Sequence, residues 1–186
     1  MNIVIVAGSN RKEATSTRLS EYIQALMSQK GNQVKVIDLY QSPVPFYSPD
    51  EGYHNHPGLA NLKKSMLEAD AIVLATPEYH SSISGVLKNA LDHLSKDHFG
   101  GKAVLSVSSS GGAIAVSSLT QLQTIVRNLH GINCPEWISI GGDQRKSFTT
   151  PAPESIQPDV EKRVKHVIDA FLQLAGQVSK AKAHHS

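Results

Sequence analysis

The chain has 186 residues, with 18 Lys+Arg against 16 Asp+Glu, a formal net charge of +2 and 40% hydrophobic residues. That length suits one α/β domain with a sizeable core, and the near balance of charge points away from a nucleic-acid partner. One cysteine, Cys134, excludes an internal disulfide, a CxxC redox pair and a cysteine-rich metal site.

The first apolar run, residues 3–7, reads as a buried strand ending at Gly8. Leu19, Tyr22, Ile23, Leu26 and Met27 then recur with the helical period, and Gly31-Asn32 stops that helix. Residues 33–38 make a second strand. Pro43, Pro45 and Pro49 exclude regular helix from the segment 40–57. A helix over about 59–69 leads into a third strand, 71–75, and a loop, 76–82. Ile83, Val86, Leu87, Ala90, Leu91 and Leu94 share a helix face. A fourth strand, 102–108, ends in Ser109-Ser110-Gly111-Gly112. It is followed by a helix over 113–128, a fifth strand near 134–140 and a polar segment reaching Pro158. Val160, Val164, Val167, Ile168, Phe171, Leu172 and Ala175 mark the last helix. This alternation predicts a parallel sheet with helices on both faces. The expectation is a flavodoxin-like α/β fold with five strands in the order 2-1-3-4-5. Residues 1–180 would form a single domain and 181–186 a tail, with no internal repeat. No apolar run approaches about 18 residues, so no membrane span is expected. The N-terminus lacks a basic n-region and cleavage site, which predicts a cytoplasmic chain.

The loop between the first strand and helix carries the first chemical signal, Gly8-Ser9-Asn10-Arg11 followed by Ser16-Thr17-Arg18. A helix N-terminus after a parallel strand favours an anion, because its N–H groups lack partners and the dipole is positive there. There is no GxxxxGK[ST] for a triphosphate and no GxGxxG for a dinucleotide. Hydroxyls with one guanidinium suit a terminal phosphate monoester, as in FMN, with Arg11 as the charge-assisted partner; the plainer alternative is an ordinary loop with N-cap hydroxyls. Loops after strands 1, 3 and 4 should converge on one crevice. The third offers Pro77-Glu78-Tyr79-His80-Ser81. The fourth offers Ser108 to Gly112, whose glycines Gly111 and Gly112 let backbone N–H groups approach a flat ring.

The blocks Gly8-Ser9-Asn10-Arg11, residues 69–81, and Ser84-Gly85-Val86-Leu87-Lys88-Asn89-Ala90-Leu91-Asp92 resemble the NADPH-dependent FMN reductase family, particularly its small azobenzene reductases. The resemblance covers residues 1–142 and rests on a P-E-Y-(H/N)-x-x-x-x-G-x-L-K-N-A-(L/I)-D pattern. It implies FMN phosphate held by Ser9, Arg11, Ser16 and Thr17. It implies the isoalloxazine along Pro77, Glu78, Tyr79, His80 and Ser81, with the backbone of Ser108, Gly111 and Gly112 at the far edge. It also implies NADPH (or NADH) as donor, a quinone, azo compound or free flavin as acceptor, and a homodimer or homotetramer. The flavin then carries the chemistry, with no catalytic side chain and no metal.

Other roles stay open for several of these residues. Glu78 either neutralises a helix N-terminus or contacts flavin or nicotinamide. Tyr79 stacks on a ring or packs a subunit contact. His80 is read as positioning rather than as a general acid, Lys88 and Asn89 as structural or interfacial, and Asn10 as shaping the phosphate loop. His54 and His56 have no ligand cluster beside them that would make a metal site. Cys134 reads as a buried structural thiol. Phe46 and Tyr47 are too apolar for a solvent spacer and are expected to wall the acceptor pocket. Rival readings are a flavodoxin-type electron carrier, which the balanced charge disfavours, and a non-catalytic flavin- or phosphate-binding module.

Overall fold

A computed structural model describes residues 1–53, 55–149 and 156–183. His54 of the His54/His56 pair, much of the polar segment before Pro158 and the end of the tail lie outside the described residues. Strands β1 (Asn2–Ala7), β2 (Gln33–Asp38), β3 (Ala71–Pro77), β4 (Ala103–Ser110), β5 (Ile132–Asn133) and β6 (Ile138–Gly141) all pair in parallel. The path is β2-β1-β3-β4-β5, with β6 also on β4. Helices α1 (Thr15–Gln29), α2 (Pro57–Glu68), α3 (Gly85–Asp92), α4 (Lys96–Phe99), α5 (Ser117–Asn128) and α6 (Pro158–Ala183) form the connections. The architecture is the expected flavodoxin-like one.

Strand alternation sorts the side chains onto two faces. Ile3, Ile5, Val73 and Leu105 meet Leu19, Ile23 and Met27 of α1 and Val160, Val164 and Phe171 of α6. Val4, Val6, Ile72 and Leu74 meet Leu62 and Met66 of α2, Leu87 of α3 and Leu122 of α5. Because β3 is covered on both faces, every one of its residues is buried, and all of them but Thr76 are apolar.

The fifth strand comes in two pieces. β5 pairs with Ala103 and Val104, and β6 with Val107 to Ser110, so residues 134–137 stand opposite only Leu105 and Ser106. Cys134 N still donates to Val104 O at 2.8 Å. Pro135 has no N–H to continue the ladder, and the chain bulges before rejoining the sheet. Two boundaries differ from expectation in a way that matters below. β4 runs on to Ser110, and α5 starts at Ser117 instead of 113, which leaves residues 111–116 as a loop. The expected polar connection after β6 contains a 3₁₀ helix, Gly142–Phe148. Phe148, fully buried, packs at 5.9 Å from Tyr22 and anchors it.

The carboxyl ends of β1 and β3 are locked together. Gly8 N donates to Ala75 O at 2.7 Å, and the Ser84 hydroxyl, which caps α3 by accepting from Leu87 N at 3.1 Å, donates to Gly8 O. A Cβ on Gly8 would lie 2.7 Å from Leu87 Cβ and 2.8 Å from Ala75 O. Only glycine lets α3 pack this closely against the end of β1.

Candidate active site

The start of α1 gathers several polar groups, two of them without partners. Ser9 is buried, and its Oγ accepts from Arg11 N at 3.1 Å, which curls the loop back on itself. The N-cap position is Ala14, which supplies no side-chain cap, and the first turn has no acidic residue. Ser16 and Thr17 are 0% and 5% exposed, yet neither hydroxyl has a hydrogen-bond partner. A buried hydroxyl left so costs about 1–3 kcal/mol and calls for an explanation. An anion with several acceptor oxygens, seated on the helix N-terminus, would meet both hydroxyls and the free N–H groups. Of the two nearby arginines, Arg18 is taken up by Glu13 (3.1 Å) and Glu21 (3.0 Å). Arg11 has no acidic partner among the described residues.

The loop after β3 is a strained tight turn. Tyr79 and Ser82 exchange backbone hydrogen bonds of 3.0 Å in each direction. Between them His80 and Ser81 both take left-handed φ, +50° and +58°, the mirror-image turn normally built from Asn and Gly. The Glu78 side chain turns away to α5, where Oε2 accepts from the Ser118 N–H and hydroxyl, each at 2.9 Å. Of the two roles open to Glu78, the structure displays the helix-neutralising one, but on α5 forty residues later rather than on the helix that follows it.

The loop after β4 is pinned by hydrogen bonds from three directions. Ser108 Oγ donates to Ala115 O, Ala115 N donates to Ser139 Oγ at 3.1 Å, and Gly142 N donates to Gly112 O at 2.7 Å. Ser110 Oγ accepts from Gly112 N at 3.1 Å, and Ser109 O accepts from Glu78 N at 2.7 Å, joining this loop to the previous one. Ser108, expected at the end of the fourth strand where the site loop begins, lies inside β4 and is fully buried, because the strand extends two residues further.

These three loops do converge. Arg11, Ser16, Pro77, Glu78, Tyr79 and Gly111 line one cleft, together with Ala14, Thr15, Ser109, Ser110 and Arg145. Ser9, Thr17 and Ser108 are buried, His80 and Ser81 form the tip of the turn, and Gly112 follows one residue beyond the lining. Arg145 escaped the sequence reading. It sits on the 3₁₀ helix with a guanidinium nitrogen 3.5 Å from where a Cβ on Gly111 would stand. Its one sequence signal is a cation just after Gly141-Gly142, at the carboxyl end of a strand beside β4. With Glu78 engaged by Ser118, the cleft presents two guanidinium groups. A roomier cleft of about 300 Å3, lined by Asn2, Val4, Lys35, Ser65 and Glu68 among others, opens at the amino ends of β1 and β2. It is at the wrong end of a parallel sheet for this kind of ligand.

The Pro-rich segment is latched to α3. Asn89 Nδ2 donates to Pro45 O at 2.8 Å and its Oδ1 accepts from Tyr47 N at 2.9 Å. His93 bonds Pro45 O at 2.8 Å and packs edge-on against Tyr47 and Tyr53. Asn89 is therefore structural, while Lys88 pairs with Asp92 at 2.6 Å. Phe46 is left 90% exposed at the apex. Among the described residues no group of three His, Cys, Asp or Glu could hold a metal, and no helix is long and apolar enough to cross a membrane.

Cys134 is buried, and desolvation pushes its thiol up, so it is held protonated and unreactive. If the chain has the NADPH oxidation that its sequence resemblance implies, Cys134→Ser should keep it within a few-fold of wild type. Loss of turnover in a folded Cys134→Ser protein would show that the thiol takes part.

Residues 1–145 match the NADPH-dependent FMN reductase family. An FMN-dependent NADPH-azoreductase of Staphylococcus saprophyticus is 37% identical over 145 residues, covering 75% of this chain and 76% of the relative. The enzyme of the same description from Staphylococcus aureus is 34% identical over 146 residues, with 75% and 76% covered. Among solved structures, the flavoenzyme NAD(P)H:(acceptor) oxidoreductase FerB from Paracoccus denitrificans superposes with a TM-score of 0.79 at 22% identity, over 95% of this chain and 97% of that one. A flavodoxin from the domain Archaea gives 0.62 at 16%, over 96% and 99%. At these identities the structures speak for the fold alone.

Proposed function

The chain belongs to the NADPH-dependent FMN reductase family, and we propose that it binds FMN in this cleft and passes hydride from NADPH to a small-molecule acceptor: a quinone, an azo compound or free flavin. The observation that carries the reading is the pair of buried, unpartnered hydroxyls of Ser16 and Thr17 at the uncapped N-terminus of α1, beside Arg11. That donor set fits a phosphate monoester.

In this reading Ser9 shapes the phosphate loop, and Ser16, Thr17, the α1 N–H groups and Arg11 hold the phosphate. Pro77, Tyr79 and the His80-Ser81 tip support the ring on one side, and the backbone at Gly111 and Gly112 meets its far edge. Glu78 and Ser108 act on the neighbouring backbone: Glu78 fixes the start of α5, and Ser108 fixes Ala115. Arg145 adds positive charge where the Gly111 loop meets the cleft, which favours a cofactor edge that becomes more negative on reduction. Bound FMN supplies the hydride chemistry at its N5, and the chain supplies orientation and charge. The assembly is proposed to be a homodimer or homotetramer, in keeping with the family resemblance.

The test is selective binding. FMN should bind far more tightly than riboflavin, which lacks the phosphate, and more tightly than FAD; equal affinity for riboflavin would remove the cradle from the site. Two kinetic expectations belong to this reading. If nicotinamide and acceptor use one face of the flavin they cannot bind together, so double-reciprocal plots with a quinone or azo dye should be parallel. Intersecting lines would require separate pockets. Phe46 is 90% exposed and does not line this cleft; if its segment walls the acceptor pocket of this or a neighbouring subunit, Phe46→Ala should raise the acceptor KM several-fold with FMN affinity unchanged. An effect on FMN affinity alone would place this segment against the flavin instead.

A flavodoxin-type carrier shares the fold. The net charge of +2 argues against it, since such carriers are typically very acidic.

A further inference from the structure

α5 grips the turn at the cleft through one face. Ser118 and Gln121, three residues apart and so on the same side of the helix, hold its two ends. At the first end, Glu78 Oε2 accepts two bonds of 2.9 Å from Ser118. At the second, Gln121 Oε1 accepts from Ser82 Oγ at 2.7 Å, while Gln121 Nε2 donates to Ser81 O at 3.0 Å. Gln121 Oε1 also lies 3.5 Å from the Ile83 N–H. Among the described residues no other side chain hydrogen-bonds Ser81 or Ser82.

Between these anchors stand two consecutive left-handed residues, neither of them glycine. A Cβ makes that conformation unfavourable, and such backbone persists only where its surroundings over-determine it. His80 and Ser81 are exposed, so packing does not hold them. What holds them is hydrogen bonding at Tyr79 and Ser82 within the turn, and Gln121 from outside.

We propose that Gln121 is a positioning residue: its paired bonds to Ser81 and Ser82 keep the Tyr79–Ser82 turn left-handed and thereby set where it meets bound FMN. This rests on the FMN reading above. The clamp itself, however, exists without the cofactor and can be measured without it.

The experiment uses the full chain as wild type, Gln121→Met, which keeps the side-chain length and removes both bonds, and Gln121→Met/Ser81→Gly. Amide exchange of the 79–83 segment is followed without FMN. FMN affinity, and kcat and KM for NADPH, are followed with it, and Tm throughout. Losing two hydrogen bonds should speed exchange at Tyr79 and Ser82 about tenfold. It should lower kcat or FMN affinity by a similar factor, with Tm changed by no more than a few degrees. Glycine takes positive φ without the Cβ penalty, so the double variant should recover at least half of the loss. Unchanged exchange in Gln121→Met overturns the clamp. Faster exchange with unaltered FMN affinity and turnover, or a loss that Ser81→Gly does not repair, overturns the positioning role. A wild-type chain that fails to bind FMN overturns the reading beneath the proposal and the positioning role with it, and the exchange arm then still decides whether Gln121 holds the turn.

Discussion

Gly141→Ala is expected to lower Tm by roughly 10 °C and to strip the protein of FMN affinity. A Cβ at this position would stand 2.5 Å from Gly112 O and would also collide with the carbonyl of Ala113. Both obstacles are backbone, so no side chain can swing aside, and the 111–116 loop itself has to move. Overpacking of this kind costs on the order of 3 kcal/mol. For a domain of this size each kcal/mol is about 2–4 °C. The displaced loop is the one that carries Gly111, receives the Gly142 N–H at Gly112 O, and leads into α5. Stability and cofactor affinity should therefore fall together. Gly176→Ala in α6 is the control: nothing lies within 4 Å of a Cβ there. It should stabilise by a few tenths to about 1 kcal/mol by restricting the unfolded chain. A Gly141→Ala protein with wild-type Tm and wild-type affinity would contradict the tight seating of the fourth loop on β6.

Arg11→Ala should weaken FMN binding by about 1.5–3 kcal/mol, a charge-assisted hydrogen bond to a dianion, which is roughly 10- to 150-fold in Kd. Arg11 is exposed and unpaired among the described residues, so its removal leaves no buried charge behind and Tm without FMN should not fall. Arg18, three positions into α1, provides the contrast. Its guanidinium bridges Glu13 and Glu21, so Arg18→Ala should act mainly on stability. Equal FMN affinity in wild type and Arg11→Ala would take Arg11 out of the site.

The fold was legible because its information is local. β1 and β3 are apolar runs because both their faces are covered, and α1 and α6 carry helical apolar stripes. The proposed phosphate loop rests on signals just as local, since Ser9, Arg11, Ser16 and Thr17 lie within nine positions of one another on one strand-to-helix connection. What stayed hidden depends on distant partners. Nothing in Pro77 to Ser81 indicates that Glu78 caps α5 or that Gln121 reaches back to Ser81. Ser108 looked like the end of its strand because a run of serines after an apolar run resembles a strand end; its parallel pairing with Thr76 and Ser109's pairing with Pro77 carry β4 beyond it. Arg145 lay in a stretch whose only structural signal is Phe148, a single apolar residue among polar ones.

The central claim is that the α1 cradle and the two loops beside it form an FMN site that NADPH reduces. It is tested most directly by titrating the chain with FMN and then adding NADPH without oxygen, while the flavin absorbance and fluorescence are recorded. One equivalent of FMN should bind with its fluorescence altered, and stoichiometric NADPH should bleach the bound flavin's visible band. FMN that stays free in solution, or bound flavin whose colour NADPH leaves untouched, would contradict it.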